Sequence, residues 1–344
     1  MSDSPIFLIL DGNALLHRTW HALPPLTTKD GVVVHAVYGF AMIVEKMLER
    51  YQPDAMAVAW DLPGKTFRHE KVASYKATRE KKEQELYDQI PMIQNLLTAF
   101  HIPSLEAPGY EADDILGTLS AQAEQAGYQI LLVTGDLDAL QLVSKKTHVV
   151  FFQKGISETK LYNEHAVEER YGFTPIQLID YKALRGDTSD NIAGIAGIGE
   201  KTATSLVQAY GSIAGIFQAL NNGKIEEKIA KKLRGQEEAV AQALELVTIV
   251  RDVDLNFDFS SATRQEPDWE AILALYRQMD FRTLLRKHER LSGNTVISKQ
   301  NVFLQEKTQK QQKQIVITRD IDVLTTHLTR LSTQEKMGVI IVDQ

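Results

Sequence analysis

The chain has 344 residues, 44% of them hydrophobic and 24% charged, with 20 Gly and 10 Pro. That is length enough for two domains, and too ordinary a composition for a disordered, collagenous or fibrous protein. Cysteine is absent, which excludes disulfides, thiolate zinc, iron–sulfur clusters and a cysteine nucleophile, and leaves oxygen or imidazole to hold any metal. Net charge is −7, which argues against a polyanionic partner, yet residues 65–82 carry seven basic side chains against two acidic ones, a local balance of +5. A basic stretch is therefore hidden inside an acidic chain.

Residues 6–10 are the first apolar run, too short and without the basic flank of a signal peptide or a membrane span. No later run reaches membrane length, so a cytoplasmic protein is expected. Four apolar segments, 6–10, 55–60, 129–134 and, less regularly, 148–153, read as buried strands. Between them, residues 35–51 and 112–126 repeat apolar side chains at helical spacing. Strands alternating with helices predict an α/β fold with a mainly parallel sheet covered on both faces, and chemistry beyond the carboxyl ends of the strands.

From about residue 175 the strand signal vanishes. Helices are expected over 175–184, 201–210, 225–233, 237–250 and 269–288, forming a second, helical unit. Residues 291–314 hold six Gln and four Lys after Ser298 and read as a solvated linker. Residues 315–318, 322–331 and 338–342 suggest strand, helix and strand, too few to bury a core of their own.

Carboxylates follow each well-formed strand. Asp11 follows the first, Asp61 the second, and Asp136 with Asp138 the third. Glu111, Asp113 and Asp114 open the helix from residue 112, and Asp187 with Asp190 follow the helix ending near Leu184. Singly, each has a structural explanation: a helix cap for Glu111, Asp113, Asp114, Asp187 or Asp190, and a turn before Gly12 for Asp11. Together they place nine carboxylates at one edge, and that many like charges repel unless cations sit among them. An all-oxygen set suits Mg²⁺ or Mn²⁺. Two such ions, about 3.5–4 Å apart, are the usual device for phosphodiester hydrolysis.

Two further features point to nucleic acid. Gly194, Gly197 and Gly199 turn the chain into a helix carrying Lys201 and Thr202, where exposed N–H groups can receive a phosphate and Lys182 and Lys201 can add charge. A dinucleotide-binding turn is excluded because no strand precedes it and the glycine order is wrong. The basic stretch includes Phe67 and Tyr75, with Tyr87 nearby, rings on which bases can stack beside Arg and Lys. A solvated loop before a surface helix is the competing reading.

These motifs resemble the 5′ nuclease domain of bacterial DNA polymerase I, in the flap endonuclease superfamily. The residues that carry the resemblance are Asp11-Gly12-Asn13, Asp61, Phe67-Arg68-His69-Glu70, Tyr75-Lys76 with Arg79, Gly109 to Asp114, Thr134 to Asp138, Gly186 to Asn191 and Gly197 to Ala203. It runs from about Ile6 to Leu291, in family order. It implies a PIN-like catalytic domain over 1–174 with a basic arch at about 64–95, then a helix-three-turn-helix (helix-hairpin-helix type) DNA-binding domain over 175–290. By resemblance, Asp11, Asp61, Glu111 and Asp114 serve a first Mg²⁺, and Asp136, Asp138 and Asp190 a second, with Asp113 and Asp187 in or bridging the shells. Arg68, Lys76 and Arg79 would steer the scissile phosphate, with Lys71 assisting, and relatives often hold K⁺ at the hairpin.

The implied activity is 5′→3′ exonuclease and 5′ flap endonuclease on DNA with a flap, a nick or a single-stranded 5′ end, and on RNA-primed DNA, in replication and repair. A monomer is the default, with a polymerase in cis or in trans. Residues 315–342 resemble the start of a 3′→5′ exonuclease-like domain, with Asp343 near its first ligand, so a truncated polymerase I or a fragment is expected, without polymerase activity. Departures from the pattern are Leu137, where a basic or polar residue is usual, and Ala193 and Ala196, where proline is frequent. Two rivals remain at this stage: a PIN-type ribonuclease, against which the helical unit argues, and a DNA-binding module with a silent site.

Overall fold

A computed structural model of the chain describes residues 4–78 and 83–288. Arg79, Lys81 and Lys82 of the basic stretch, the linker at 291–314 and the strand–helix–strand expected over 315–342 lie outside the described residues. The described residues up to Leu285 fall in one compact unit.

The first unit opens with β1 (Ile6–Asp11), α1 (Gly12–Ala22), α2 (His35–Tyr51) and β2 (Ala55–Ala59). Next come α3 (Phe67–Lys71), α4 (Gln84–Tyr87), α5 (Ile90–Ala99), β3 (Ser104–Leu105), α6 (Ala112–Gln125) and β4 (Gln129–Thr134). The layer is completed by β5 (Thr147–Lys154), β6 (Glu158–Tyr162) and α7 (Glu164–Tyr171). The sheet runs β3-β2-β1-β4-β5-β6, with every pairing parallel except the edge pair β5–β6.

Its strands are uninterrupted apolar runs because both faces are covered. Along β1, Phe7 and Ile9 enter one core with Ala57, Ile130 and Leu132, while Leu8 and Leu10 enter the other with Met56, Val58 and Val133. This is the two-residue period of a strand. Helices α2 and α5 cover the second face, and α6 the first. Gly12 is required by a close approach: a Cβ there would lie 2.5 Å from the Trp60 ring.

The chain continues through α8 (Leu178–Arg185), β7 (Gly186–Asp187), β8 (Ile192–Ala193), α9 (Glu200–Tyr210), α10 (Ile213–Asn221), α11 (Glu227–Leu233), α12 (Glu237–Val247), α13 (Phe259–Ala262) and α14 (Trp269–Gln278); the helix expected over 269–288 breaks at a turn where Asp280 is left-handed, φ 57°, and the described residues from 282 on are helical again. Apolar residues of α9 and α12, such as Leu206 and Leu246, join the same core as Ile130 and Leu132.

Several elements differ from expectation. The strand signal does not vanish after residue 175, since β7 and β8 form a two-stranded antiparallel ladder. Two-residue strands are too short to show a period. Helix α12 ends at Val247 rather than 250, because Arg68 and Gln141 bind the carbonyls of Leu246, Val247 and Thr248. The periodicity also passed over α1, whose exposed side holds polar residues aimed at a cleft.

Candidate active site

Parallel pairing of β2, β1 and β4 brings Asp61, Asp11 and Asp136 to one sheet edge, and the N-terminus of α6 adds Glu111 and Asp113. A cavity of about 460 Å³ opens there, bordered by those five carboxylates and Lys76. Asp11 is 3% exposed. It caps α1 by accepting from the Ala14 N–H at 2.9 Å, and takes a hydrogen bond from Thr134 Oγ1 at 2.6 Å. Asp61 accepts from the Ala112 N–H at 2.7 Å. Asp136 donates its N–H to Thr134 Oγ1 and accepts from the Asp138 N–H, both at 2.9 Å.

The electrostatics are those of crowded anions. Burial, with Asp61 and Asp136 nearby, pushes the Asp11 carboxyl up to about 7. Burial and Asp136 do the same to Asp138, against the pull of Lys182. Asp113 rises well above the carboxylate range through burial and the charges of Asp11, Asp136 and Asp138. An oxygen-only, mutually repelling set of this kind fits Mg²⁺ or Mn²⁺. Among the described residues, no three such side chains already close around one point. Two lysines stand among them instead.

Lys76 is one. Its backbone is left-handed, φ 55°, and its N–H donates to the Asp190 carbonyl at 2.9 Å. Its Nζ donates to Glu111 Oε1 at 2.7 Å and lies 3.9 Å from Asp190. Lys182 is the other: its Nζ pairs with Asp138 and donates to Asp187 Oδ2 at 2.6 Å. Burial opposes the Asp187 charge, but Lys182 and Ser189 hold that carboxyl down to about 2.

Several expected roles are corrected. Arg68 does not face the cleft: it is 3% exposed and grips Asp114 through two parallel bonds of 2.7 and 2.8 Å. Asp114, wholly buried, spends its remaining capacity on the N–H groups of Glu111 and Val250. It is not a metal-facing ligand, and Arg68 is not a phosphate-steering cation, because each neutralises the other inside the core. Tyr75 is 3% exposed, so no base can stack on it; its hydroxyl donates to Glu111 at 2.9 Å and to Asp190 at 3.1 Å. Lys182 is committed to carboxylates rather than to a DNA phosphate. Gly194 serves packing rather than phosphate approach: a Cβ there would meet the Arg185 carbonyl carbon at 2.1 Å and the Gly186 nitrogen at 2.3 Å.

The rest of the hairpin is open. Gly197 is left-handed at φ 79°, and a Cβ on Gly199, the residue capping α9, would meet nothing within 4 Å. Ile195 and Ile198 anchor the turn in the core, leaving Gly197, Gly199 and Lys201 exposed and Thr202 half-buried. Lys71 is exposed, 2.5 Å from Glu245. The sequence reading quoted Asn13 within a motif but gave no site role to it, nor to His17 and His21, which line the cavity with it from α1. Their spacing of four, starting just after Asp11, is the signal that could have found them. It also missed Lys232, whose Nζ holds the Gly197 carbonyl at 2.7 Å.

The profile described as "5′-3′ exonuclease, N-terminal resolvase-like domain" matches residues 6–172, and "5′-3′ exonuclease, C-terminal SAM fold" matches 173–270. The chain belongs to the 5′-3′ exonuclease family. DNA polymerase I of Bacillus caldotenax is 39% identical over 282 residues, 82% of this chain and 32% of that one. DNA polymerase I of Mycobacterium leprae is 41% identical over 283 residues, 81% of this chain and 31% of that one. This chain thus spans about a third of the length of these curated relatives.

Among solved structures, a zinc-bound bacteriophage T5 5′-exonuclease superposes with TM-score 0.57 at 23% identity, covering 70% of this chain and 89% of that one. The catalytic core of Rad2 in complex with a DNA substrate gives TM-score 0.53 at 17% identity, covering 80% and 87%. At these identities the two establish a shared fold. No helix among the described residues is long and apolar enough to cross a membrane.

Proposed function

We propose that this member of the family is a Mg²⁺-dependent, structure-selective nuclease that removes 5′ flaps and RNA or DNA ahead of a growing strand. The convergence of Asp11, Asp61, Asp113 and Asp136 on one cavity, with the Asp11 and Asp113 carboxyls driven upward by burial and by neighbouring negative charge, carries the reading. Asp11, Asp61, Glu111 and Asp113 would hold a first ion, and Asp136, Asp138, Asp187 and Asp190 a second. Two ions held there would supply an attacking hydroxide and would stabilise charge on the attacking and leaving oxygens.

The chain's own groups do the rest. Lys76, fixed by its backbone bond to Asp190, offers its ammonium to the scissile phosphate, joined by Arg79. Residues 1–174 are the catalytic domain and 175–290 the duplex grip. There Gly197 and Gly199 expose N–H groups beside Lys201 and Thr202, with K⁺ as a further ligand of the hairpin. The region around 64–95 receives the unpaired 5′ end, with Lys71 on its rim. Selectivity then comes from geometry rather than base readout, and binding weakens steeply with salt. A cytoplasmic monomer, working with a polymerase in cis or in trans, completes the proposal.

The deciding experiment uses a 5′-labelled double-flap DNA with Mg²⁺ or EDTA, and compares the native chain with the Asp136→Ala, Asp138→Ala double variant. Cleavage near the junction that needs Mg²⁺ and disappears in the variant supports the reading. A flap that is bound but never cut in Mg²⁺ or Mn²⁺ overturns it.

A further inference from the structure

Lys182 lies in the last turn of α8, which ends at Arg185, so its ammonium returns toward Asp187 just beyond the helix. There it pairs with Asp138 and donates to Asp187 Oδ2 at 2.6 Å, with only 15% of the side chain exposed. Both carboxylates belong to the set assigned above to the second ion, and the ammonium on Asp138 Oδ1 and Asp187 Oδ2 takes up acceptor positions there and repels a divalent cation at the same carboxylates. The first group differs: among the described residues the Lys76 ammonium donates to Glu111, and Asp11, Asp61 and Asp113 border the larger cavity with it.

We propose that Lys182 is the resident counter-ion of the second metal subsite, holding Asp138 and Asp187 in place until a divalent ion displaces it. The proposal rests on the two-ion reading. The second ion therefore binds in competition with the ammonium and more weakly than the first. A displaced ammonium has room beside it, in a cavity of about 360 Å³ bordered by Leu137, Phe151, Tyr181 and Arg185.

The test is a calorimetric Mn²⁺ titration of the full chain, native and Lys182→Met, with thermal melts in EDTA and in Mn²⁺. Two binding steps are expected for the native chain. In Lys182→Met the weaker step tightens about tenfold while the stronger stays put. In EDTA the variant melts below the native chain, because two half-buried carboxylates lose their counter-charge, and Mn²⁺ restores most of the difference. Lys182→Gln, which keeps a hydrogen bond without the charge, must follow the same pattern and replaces Met if that variant does not fold. Two steps that stay unchanged in the variants, or an unaltered melt in EDTA, overturn the counter-ion while leaving the two-ion reading intact. A single step in the native chain overturns the two-ion reading, and this proposal with it.

Discussion

Arg68 and Asp114 meet as a forked pair, Nη1 to Oδ2 at 2.7 Å and Nη2 to Oδ1 at 2.8 Å, with both side chains buried. The guanidinium also donates through Nε to the Leu246 carbonyl and through Nη2 to that of Thr248, both at 2.9 Å. One ion pair thus ties α3 and α6 to the end of α12. Removing either partner leaves a buried charge uncompensated, which costs about 3–5 kcal/mol. Arg68→Ala is expected to lose that much in urea denaturation. Asp114→Ala should lose a similar amount, and the double variant less than the sum of the two. Additive losses would show that the pair is not a unit.

Asp113 sits among Asp11, Asp136 and Asp138, so its charge opposes folding when no cation is present. Asp113→Asn is expected to raise the stability of the metal-free protein by about 1 kcal/mol and to abolish metal-dependent cleavage. Melts in EDTA beside flap-cleavage assays check both halves. A variant that is less stable in EDTA would mean that the repulsion is already relieved.

The same crowding sets a pH dependence. Burial and neighbouring charge push Asp11 and Asp138 up to about 7 in the folded chain, against 3.8 for a free carboxyl. The native state therefore binds protons between about 4 and 7 that the unfolded chain does not, and stability rises as pH falls through that window. Asp187, held at about 2, works in the opposite sense, but its contribution is lost only below pH 4. Melts in EDTA from pH 8 down to 5 should therefore move upward. Saturating Mg²⁺ should flatten or reverse the trend, because the ions require ionised carboxylates.

The hairpin separates packing from binding. Gly194→Ala forces a Cβ to within 2.3 Å of the Arg185–Gly186 backbone and is expected to cost about 1–3 kcal/mol or more. Gly199→Ala places its methyl in open space at φ −92°, so stability should stay within about 0.5 kcal/mol. Binding of duplex DNA should nevertheless fall, since the methyl stands where a phosphate would approach. Urea curves and duplex binding at several salt concentrations, measured on both variants, check the contrast.

The apolar runs of β1, β2 and β4 and the placement of Asp11, Asp61 and Asp136 after them were legible because strand burial and strand ends leave a one-dimensional pattern. So were α2 and α6, whose apolar spacing is regular, and the glycine run before α9. What each polar residue does was less legible. Arg68, Tyr75, Asp114, Lys182 and Gly194 read as exposed chemistry, yet they are spent on one another or on backbone. Burial of a polar group depends on partners far along the chain: Arg68 finds Asp114 46 residues away and Leu246 178 residues away. The chain by itself determined a parallel sheet edged with carboxylates, because local periodicity and strand order suffice for that. Only the tertiary structure decided which charges face the cleft and which cancel in the core, because desolvation and pairing arise when distant segments pack.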